Sequence, residues 1–154
     1  MTASARLLFS LPALLLALIL LIEGACTAYF DLAATSTATE LSFWGRENYK
    51  PTPVTVNRTG QTLSTLLKYR PMDPAFLAQQ AYYLSWQGFF AGDIEQRLAF
   101  NQQAVTTQYQ SLQQRPAYRQ GWAEMVEYAS RTRGGGEMLA QAQQRIAALQ
   151  PARN

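Results

Sequence analysis

The run LLFSLPALLLALILLI, residues 7–22, decides the fold of this chain because no charged residue interrupts it. Such a run is stable in lipid as a helix, where its backbone hydrogen bonds close internally. At about 1.5 Å per residue it forms roughly 24 Å of helix, a little less than the hydrocarbon core of about 30 Å. Residues 24–30 are also uncharged and can extend the span. We therefore predict a transmembrane signal-anchor over residues 1–30.

The charges on either side of the run predict its orientation. Arg6 precedes the run, and the next basic residue is Arg46, whereas Glu23, Asp31 and Glu40 lie between them. The positive-inside rule then keeps the N-terminus in the cytoplasm and sends the rest of the chain across the membrane. In a bacterium, this predicts a single-pass inner-membrane protein with a periplasmic C-terminal domain.

Two other readings of the N-terminus stay open. Cys26-Thr27-Ala28 loosely resembles the small-x-Ala site at which a secretory signal peptide is cleaved. Residues 23–26 also resemble a lipoprotein box, the motif whose cysteine is acylated, and Cys26 would be that cysteine. Glu23 stands where that box normally has an aliphatic residue, which argues against acylation. We favour the uncleaved anchor.

The composition excludes several classes of function. The net charge is only +3 and the basic residues are scattered, so nothing favours nucleic-acid binding. The chain has no histidine and a single cysteine, which makes metal sites and Cys–His chemistry improbable. We expect no cofactor and no metal. An enzyme would have to act through carboxylates alone. Glu124 and Glu127 lie three residues apart on one predicted helix, and we interpret them as an exposed acidic face.

Beyond the anchor, the sequence predicts an irregular linker and then an all-α domain. Residues 31–59 are rich in small polar residues, proline and glycine, which predicts the linker. Residues 60–151 show helical spacing of apolar residues, with 152–154 as a tail. Asp73 and Asp93 precede helical segments and are typical N-caps. The predicted helices cover about 61–69, 74–91, 94–113, a segment opened by Pro116 and ending near 131, and 137–149.

The helix ends recur in a way that resembles tetratricopeptide repeats. A leucine, a few polar residues and a proline close three segments, at Pro71, Pro116 and Pro151, separated by 45 and 35 residues. The second spacing is close to the 34-residue tetratricopeptide period. In residues 118–151, Trp122 and Ala142 also resemble positions of that motif. The resemblance implies antiparallel helical pairs that bind proteins or peptides.

The layout of the whole chain is similar to small membrane-anchored accessory proteins of bacterial exopolysaccharide clusters, the VpsP-like family. The likeness consists of a short span, a Thr-rich lead and the R-P-x-D-P junction formed by Arg70, Pro71, Asp73 and Pro74. It implies a non-enzymatic scaffold that holds a protein partner within an envelope complex, in exopolysaccharide synthesis or export. The alternative is a subunit of a secretion or pilus-type complex.

Aromatic residues mark the candidate binding surface. The predicted helix 74–91 is apolar nearly all round, whereas packing against one neighbour requires a single apolar stripe. Burial between helices on both sides would explain this, with Gly88 allowing a close approach. A surface for a partner or for the membrane interface would explain it as well. The candidate partner-binding residues are Tyr82, Trp86, Phe89 and Phe90, together with Phe43 and Trp44 of the linker.

Overall fold

The computed structural model describes residues 3–150 of the chain, with side chains from Pro12 onward. The described part is entirely helical and contains no strand, which confirms the all-α prediction. One long helix at the N-terminus precedes five shorter ones. Pro151, the predicted tail 152–154 and the side chain of Arg6 lie outside the described residues. The helices are α1 (Ala3–Phe43), α2 (Pro53–Tyr69), α3 (Pro74–Phe90), α4 (Ile94–Gln114), α5 (Arg119–Ser130) and α6 (Gly136–Ala148).

Helix α1 is long and apolar enough to cross a membrane. It has 41 residues, which corresponds to about 60 Å, and its most apolar window has a mean hydropathy of 2.1. None of that window is buried against the rest of the protein. Pro12 lies within the helix. The predicted span is therefore the first part of a much longer continuous helix.

The predicted linker is wrong for most of residues 31–59, because α1 continues through Phe43. The threonines of this stretch do not break the helix, since Thr35, Thr37 and Thr39 each donate a hydrogen bond to a carbonyl oxygen four residues earlier. The stretch also carries a buried stripe at helical spacing, formed by Ala34, Thr37, Leu41 and the adjoining Trp44.

Helix α2 begins earlier than predicted, at Pro53. The hydroxyl of Thr52 accepts a hydrogen bond from the backbone N–H of Thr55, which makes Thr52 the N-cap. Proline is well tolerated in the first turn of a helix, since the N–H it lacks has no partner there. Pro53 therefore starts a helix instead of preventing one. The irregular connection shortens to residues 44–52.

Successive helices from α3 onward run antiparallel to one another. The contacts between neighbours pair the start of one helix with the end of the next, as expected for short turns. For α3 and α4, Pro74 lies against Ser111, and Gly88 lies against Asn101. Between α4 and α5, Gln108 contacts Gly121, and Asn101 contacts Arg131. Between α5 and α6, Trp122 lies under Arg145, and Ala129 lies against Gly135.

Helix α3 contributes to two hydrophobic cores, which explains why it is apolar nearly all round. Its Ala81 and Leu84 join the core formed with α4, α5 and α6, where Trp122 and Met125 are buried. Its Phe76 joins a second core formed with α2 and the C-terminal half of α1. Burial on both sides is one of the two explanations given above for the apolar character of this helix. The second core attaches the long helix directly to the helical domain.

The turn between α5 and α6 requires a glycine at position 135. A Cβ atom there would lie 2.2 Å from the carbonyl oxygen of Ala129, whereas a Cβ at Gly136 would meet nothing within 4 Å. We expect Gly135→Ala to lower the free energy of unfolding by about 1–3 kcal/mol, because the turn must shift. Thermal unfolding of the full chain in detergent micelles measures this.

Gly136→Ala is the matched control for that substitution. Gly136 begins α6, so alanine there is expected to be neutral or to raise the free energy of unfolding by up to about 1 kcal/mol. Equal stability of the two variants would contradict the close approach at Gly135.

Candidate partner-binding surface

Five of the six predicted binding residues come together where α1 meets α3. With Tyr83, they form what we call the aromatic cluster, defined by Trp44, Tyr82, Tyr83, Trp86, Phe89 and Phe90. Trp86 lies at its centre, with ring-centroid distances of 6.1 Å to Trp44, 6.3 Å to Tyr82, 5.2 Å to Phe89 and 5.5 Å to Phe90. These separations are typical of edge-to-face and tilted aromatic pairs, which are favourable beyond the area they bury.

The cluster is buried on its α1 side and exposed on its outer side. Trp44 is only 3% exposed, whereas Phe90 is 43% and Phe89 is 68% exposed. Tyr82 and Trp86 are half-buried between these extremes. Phe89 and Phe90 therefore present a rigid apolar surface to solvent, supported from beneath by Trp86.

Trp44, one of the candidate partner-binding residues, is folded back onto α3 and buried there. Its indole N–H donates to Glu40 at 2.8 Å, and the hydroxyl of Tyr82 donates to its carbonyl oxygen at 3.5 Å. The hydroxyl of Tyr49 donates to the same Glu40 carboxylate, and this hydrogen bond raises the pKa of Tyr49. A buried tryptophan held in this way fixes the end of α1 against α3.

Phe43 is placed apart from the aromatic cluster. Its ring lies 5.8 Å from that of Tyr49, and the guanidinium of Arg46 lies over it at 4.6 Å. Phe43 is partly exposed at the end of α1. The adjacent Phe43 and Trp44 therefore point to different surroundings, as expected for successive residues of a helix.

A polar cleft of about 300 Å³ borders Phe89. We call it the arginine cleft, because Arg97 and Arg131 line it together with Ser85, Gly88, Phe89 and Asn101. Arg131 donates to Ser85 at 3.4 Å and pairs with Glu127 at 2.6 Å. Arg97 donates to the carbonyl oxygen of Ala91 at 3.3 Å. The exposed Phe89 thus lies beside Arg97 and Arg131.

Neither sequence spacing nor a motif points to the arginine cleft. Arg97 begins the second turn of α4 and Arg131 follows α5, and only the antiparallel packing brings them together. The contact of Asn101 with the carbonyl oxygen of Arg131, at 3.4 Å, fixes this approach. The i,i+4 spacing of Glu127 and Arg131 predicts their ion pair but not the approach of Arg97.

The two neighbouring carboxylates of α5 have separate partners. Glu124 accepts hydrogen bonds from Gln108 at 3.2 Å and from Gln120 at 3.1 Å, whereas Glu127 pairs with Arg131. Burial raises the pKa of Glu124, and its two hydrogen bonds oppose that shift. Within the described residues, no group of three metal-ligating side chains is assembled.

No protein-family model matches this chain, and neither a curated protein nor a solved structure matches it.

Proposed function

We propose that this chain is a non-enzymatic, single-pass membrane protein whose helical domain holds a protein partner in an envelope complex. The observation that carries the proposal is the division of α1 into two parts. Leu14 to Ile22 is exposed throughout, whereas one face of the same helix, with Ala34, Thr37 and Leu41, is buried against the helical domain. An apolar helix that finds no protein surface gains free energy by entering lipid.

The proposed orientation follows from charge. Arg6 keeps the N-terminus in the cytoplasm under the positive-inside rule, and the domain then lies on the periplasmic side. Because α1 is continuous to Phe43, no flexible tether separates the proposed span from the domain, and the height of the domain above the bilayer changes only as α1 tilts or shifts in the membrane. Trp44 lies 22 residues beyond Ile22, or about 33 Å along the helix.

The proposed partner-binding surface consists of the exposed side of the aromatic cluster and the arginine cleft. Rigid aromatic side chains and arginine are the residue types that dominate binding energy at protein interfaces. Phe89 and Phe90 offer apolar area. Arg97 forms no ion pair within the described residues and can bind a carboxylate, whereas Arg131 already pairs with Glu127. We infer that the partner supplies an apolar segment bordered by acidic residues.

The link to exopolysaccharide synthesis or export comes from the VpsP-like resemblance of the layout. The consecutive antiparallel pairing of α3 to α6 supports a tetratricopeptide-like arrangement, since such arrays stack helical pairs in chain order. Buried Trp122 and Ala142, two residues of that resemblance, both lie in the core shared by α5 and α6.

Phe89→Ala combined with Phe90→Ala is expected to weaken partner binding at least tenfold without unfolding the domain. Truncation of interface aromatics costs more than about 1–2 kcal/mol, whereas both side chains contribute little to the core because they are exposed. The first measurement is complementation of a deletion strain by the double variant, scored as surface polymer. The second uses separate, otherwise native chains that carry a photo-crosslinking amino acid at position 89, irradiated in intact cells.

Val54→Ala is the matched control, because Val54 is 70% exposed and lies at the start of α2, outside the aromatic cluster. The Val54→Ala chain should restore polymer production in the deletion strain fully. A photo-crosslinking amino acid at position 54 should give no adduct with a partner. Full polymer production by the double variant, with the same crosslinking from positions 89 and 54, would overturn the proposed surface.

A further inference from the structure

We propose that one end of the helical domain is a surface for anionic phospholipid headgroups. This inference rests on the membrane span proposed above. The end in question is the one closest to the exposed apolar part of α1, and we call it the proximal end. It consists of the α2–α3 turn, the α4–α5 turn and the neighbouring residues 29–32 of α1.

The α2–α3 turn is attached to α1 just beyond the apolar run. The ring of Tyr69 stacks on that of Phe30 with a centroid distance of 3.8 Å, and Arg70 approaches Asp31 at 4.0 Å. Phe30 lies eight residues after Ile22, which is about 12 Å along the helix. Headgroup layers extend about 5–7 Å beyond each side of the hydrocarbon core. Because residues 7–22 form only about 24 Å of helix, a hydrocarbon core of about 30 Å extends roughly four residues beyond Ile22. The headgroup layer then reaches the level of Phe30, so the turn faces the headgroups.

The α4–α5 turn lies at the same end. The carbonyl oxygen of Pro74, at the start of α3, accepts hydrogen bonds from Arg115 at 2.8 Å and from Ser111 at 2.7 Å. The guanidinium of Arg115 also lies over the ring of Tyr118, 4.8 Å from its centroid. Arg119 then begins α5 and is exposed.

Folding gathers cations at the proximal end that are far apart in sequence. The carboxylates there are Asp31, Asp73 and Glu124, and Asp73 is occupied in capping α3. Lys68 and Arg119 are both exposed and form no ion pair within the described residues. The cations of this end are Lys68, Arg70, Arg115, Arg119 and Arg145.

Exposed amphipathic and apolar side chains accompany these cations. Tyr29, Leu32, Tyr69 and Met72 are all exposed although they are large and partly or wholly apolar. Tyrosine at the level of the headgroups, with basic residues beside it, is the usual composition of a membrane-facing protein surface. Charge complementarity and the distance along α1 thus point to the same occupant, an anionic lipid surface.

The test places a fluorophore at the proximal end of the full chain. Cys26→Ser first removes the exposed native thiol, and Met72→Cys then carries an environment-sensitive label. The chain is reconstituted into phosphatidylcholine vesicles, or into vesicles with about 30% phosphatidylglycerol, both containing a lipid spin-labelled on its headgroup. We expect quenching at position 72 to be at least about twofold stronger in the anionic vesicles.

Two controls make the result specific. A label on Gly92→Cys, in the α3–α4 turn at the opposite end, should be unquenched in both vesicles, because that turn is about 20 Å farther along α1. In the variant Lys68→Glu with Arg119→Glu, quenching at position 72 should no longer depend on phosphatidylglycerol. In the variant Arg46→Glu with Lys50→Glu, that dependence should be preserved.

The outcomes separate this inference from the proposed function. Two results would overturn the headgroup surface alone, provided that the chains resist alkaline carbonate extraction. One is equal quenching at positions 72 and 92, and the other is equal quenching at position 72 in the two kinds of vesicle. Chains that carbonate releases would overturn the membrane span and this inference together.

Discussion

Trp44→Ala is expected to lower the free energy of unfolding by about 3–5 kcal/mol, the usual cost of deleting a buried large aromatic side chain. Trp44 is almost fully buried and contacts Tyr83, Trp86 and Phe90 of the aromatic cluster. Its loss also leaves the Glu40 carboxylate without the indole N–H. Denaturant unfolding of the full chain in mild detergent, followed by near-ultraviolet circular dichroism, measures the change.

Phe43→Ala is the matched control for Trp44→Ala. Phe43 is the preceding residue and is 38% exposed, so its truncation should cost less than about 1 kcal/mol. The difference between the two variants measures how firmly the end of α1 is held against α3. Unfolding of Trp44→Ala at the same denaturant concentration as the native chain would contradict this attachment.

Leu15→Arg combined with Leu18→Arg is expected to abolish stable membrane integration. Each arginine at the centre of a span costs about 2.5–3.5 kcal/mol on the scale derived from insertion experiments. Both leucines are exposed on α1, so no protein contact offsets that cost. The measurement is the fraction of chain that resists alkaline carbonate extraction, which should fall more than tenfold.

The control for this pair uses the same helix and the same spacing. Thr35→Arg with Ala38→Arg places two arginines on exposed positions of α1 beyond the proposed bilayer. These changes should leave integration unchanged. Carbonate resistance of the leucine variant at the native level would argue that α1 does not lie across the bilayer.

The helices from α3 onward were predictable from the sequence because their signals are local. The carboxylates of Asp73 and Asp93 accept hydrogen bonds from the first turns of α3 and α4, as their positions predicted. The predicted ends of these helices differ from the observed ones by one residue at most, apart from the start of α5, which differs by three. That helix begins at Arg119 because residues 116–118 form a turn after Pro116.

The extension of α1 was not predicted, because composition was weighed above periodicity. Threonine, small residues and nearby prolines are typical of connections, yet the stripe Ala34, Thr37, Leu41 and Trp44 has helical spacing. Tertiary burial of that stripe overrides the modest helix propensity of threonine. Reading the spacing first would have predicted the helix.

The candidate surface was only partly predictable. The aromatic residues of α3 stand together in sequence, so their clustering on one helix was foreseeable. Which of them is exposed depends on how Trp44 packs, and the arginine cleft depends on residues 97 and 131 meeting across two helices. Such contacts arise from tertiary packing and leave no local pattern.

The central claim is that one continuous helix crosses the membrane and carries the folded domain on its far side. Protease added to spheroplasts that express a C-terminally tagged chain tests it most directly. We predict a full-mass, membrane-bound band that is protected in intact cells and loses its tag once the outer membrane is opened. A tag that is digested only after the inner membrane is lysed, or a mature chain recovered in the soluble fraction, would contradict the account.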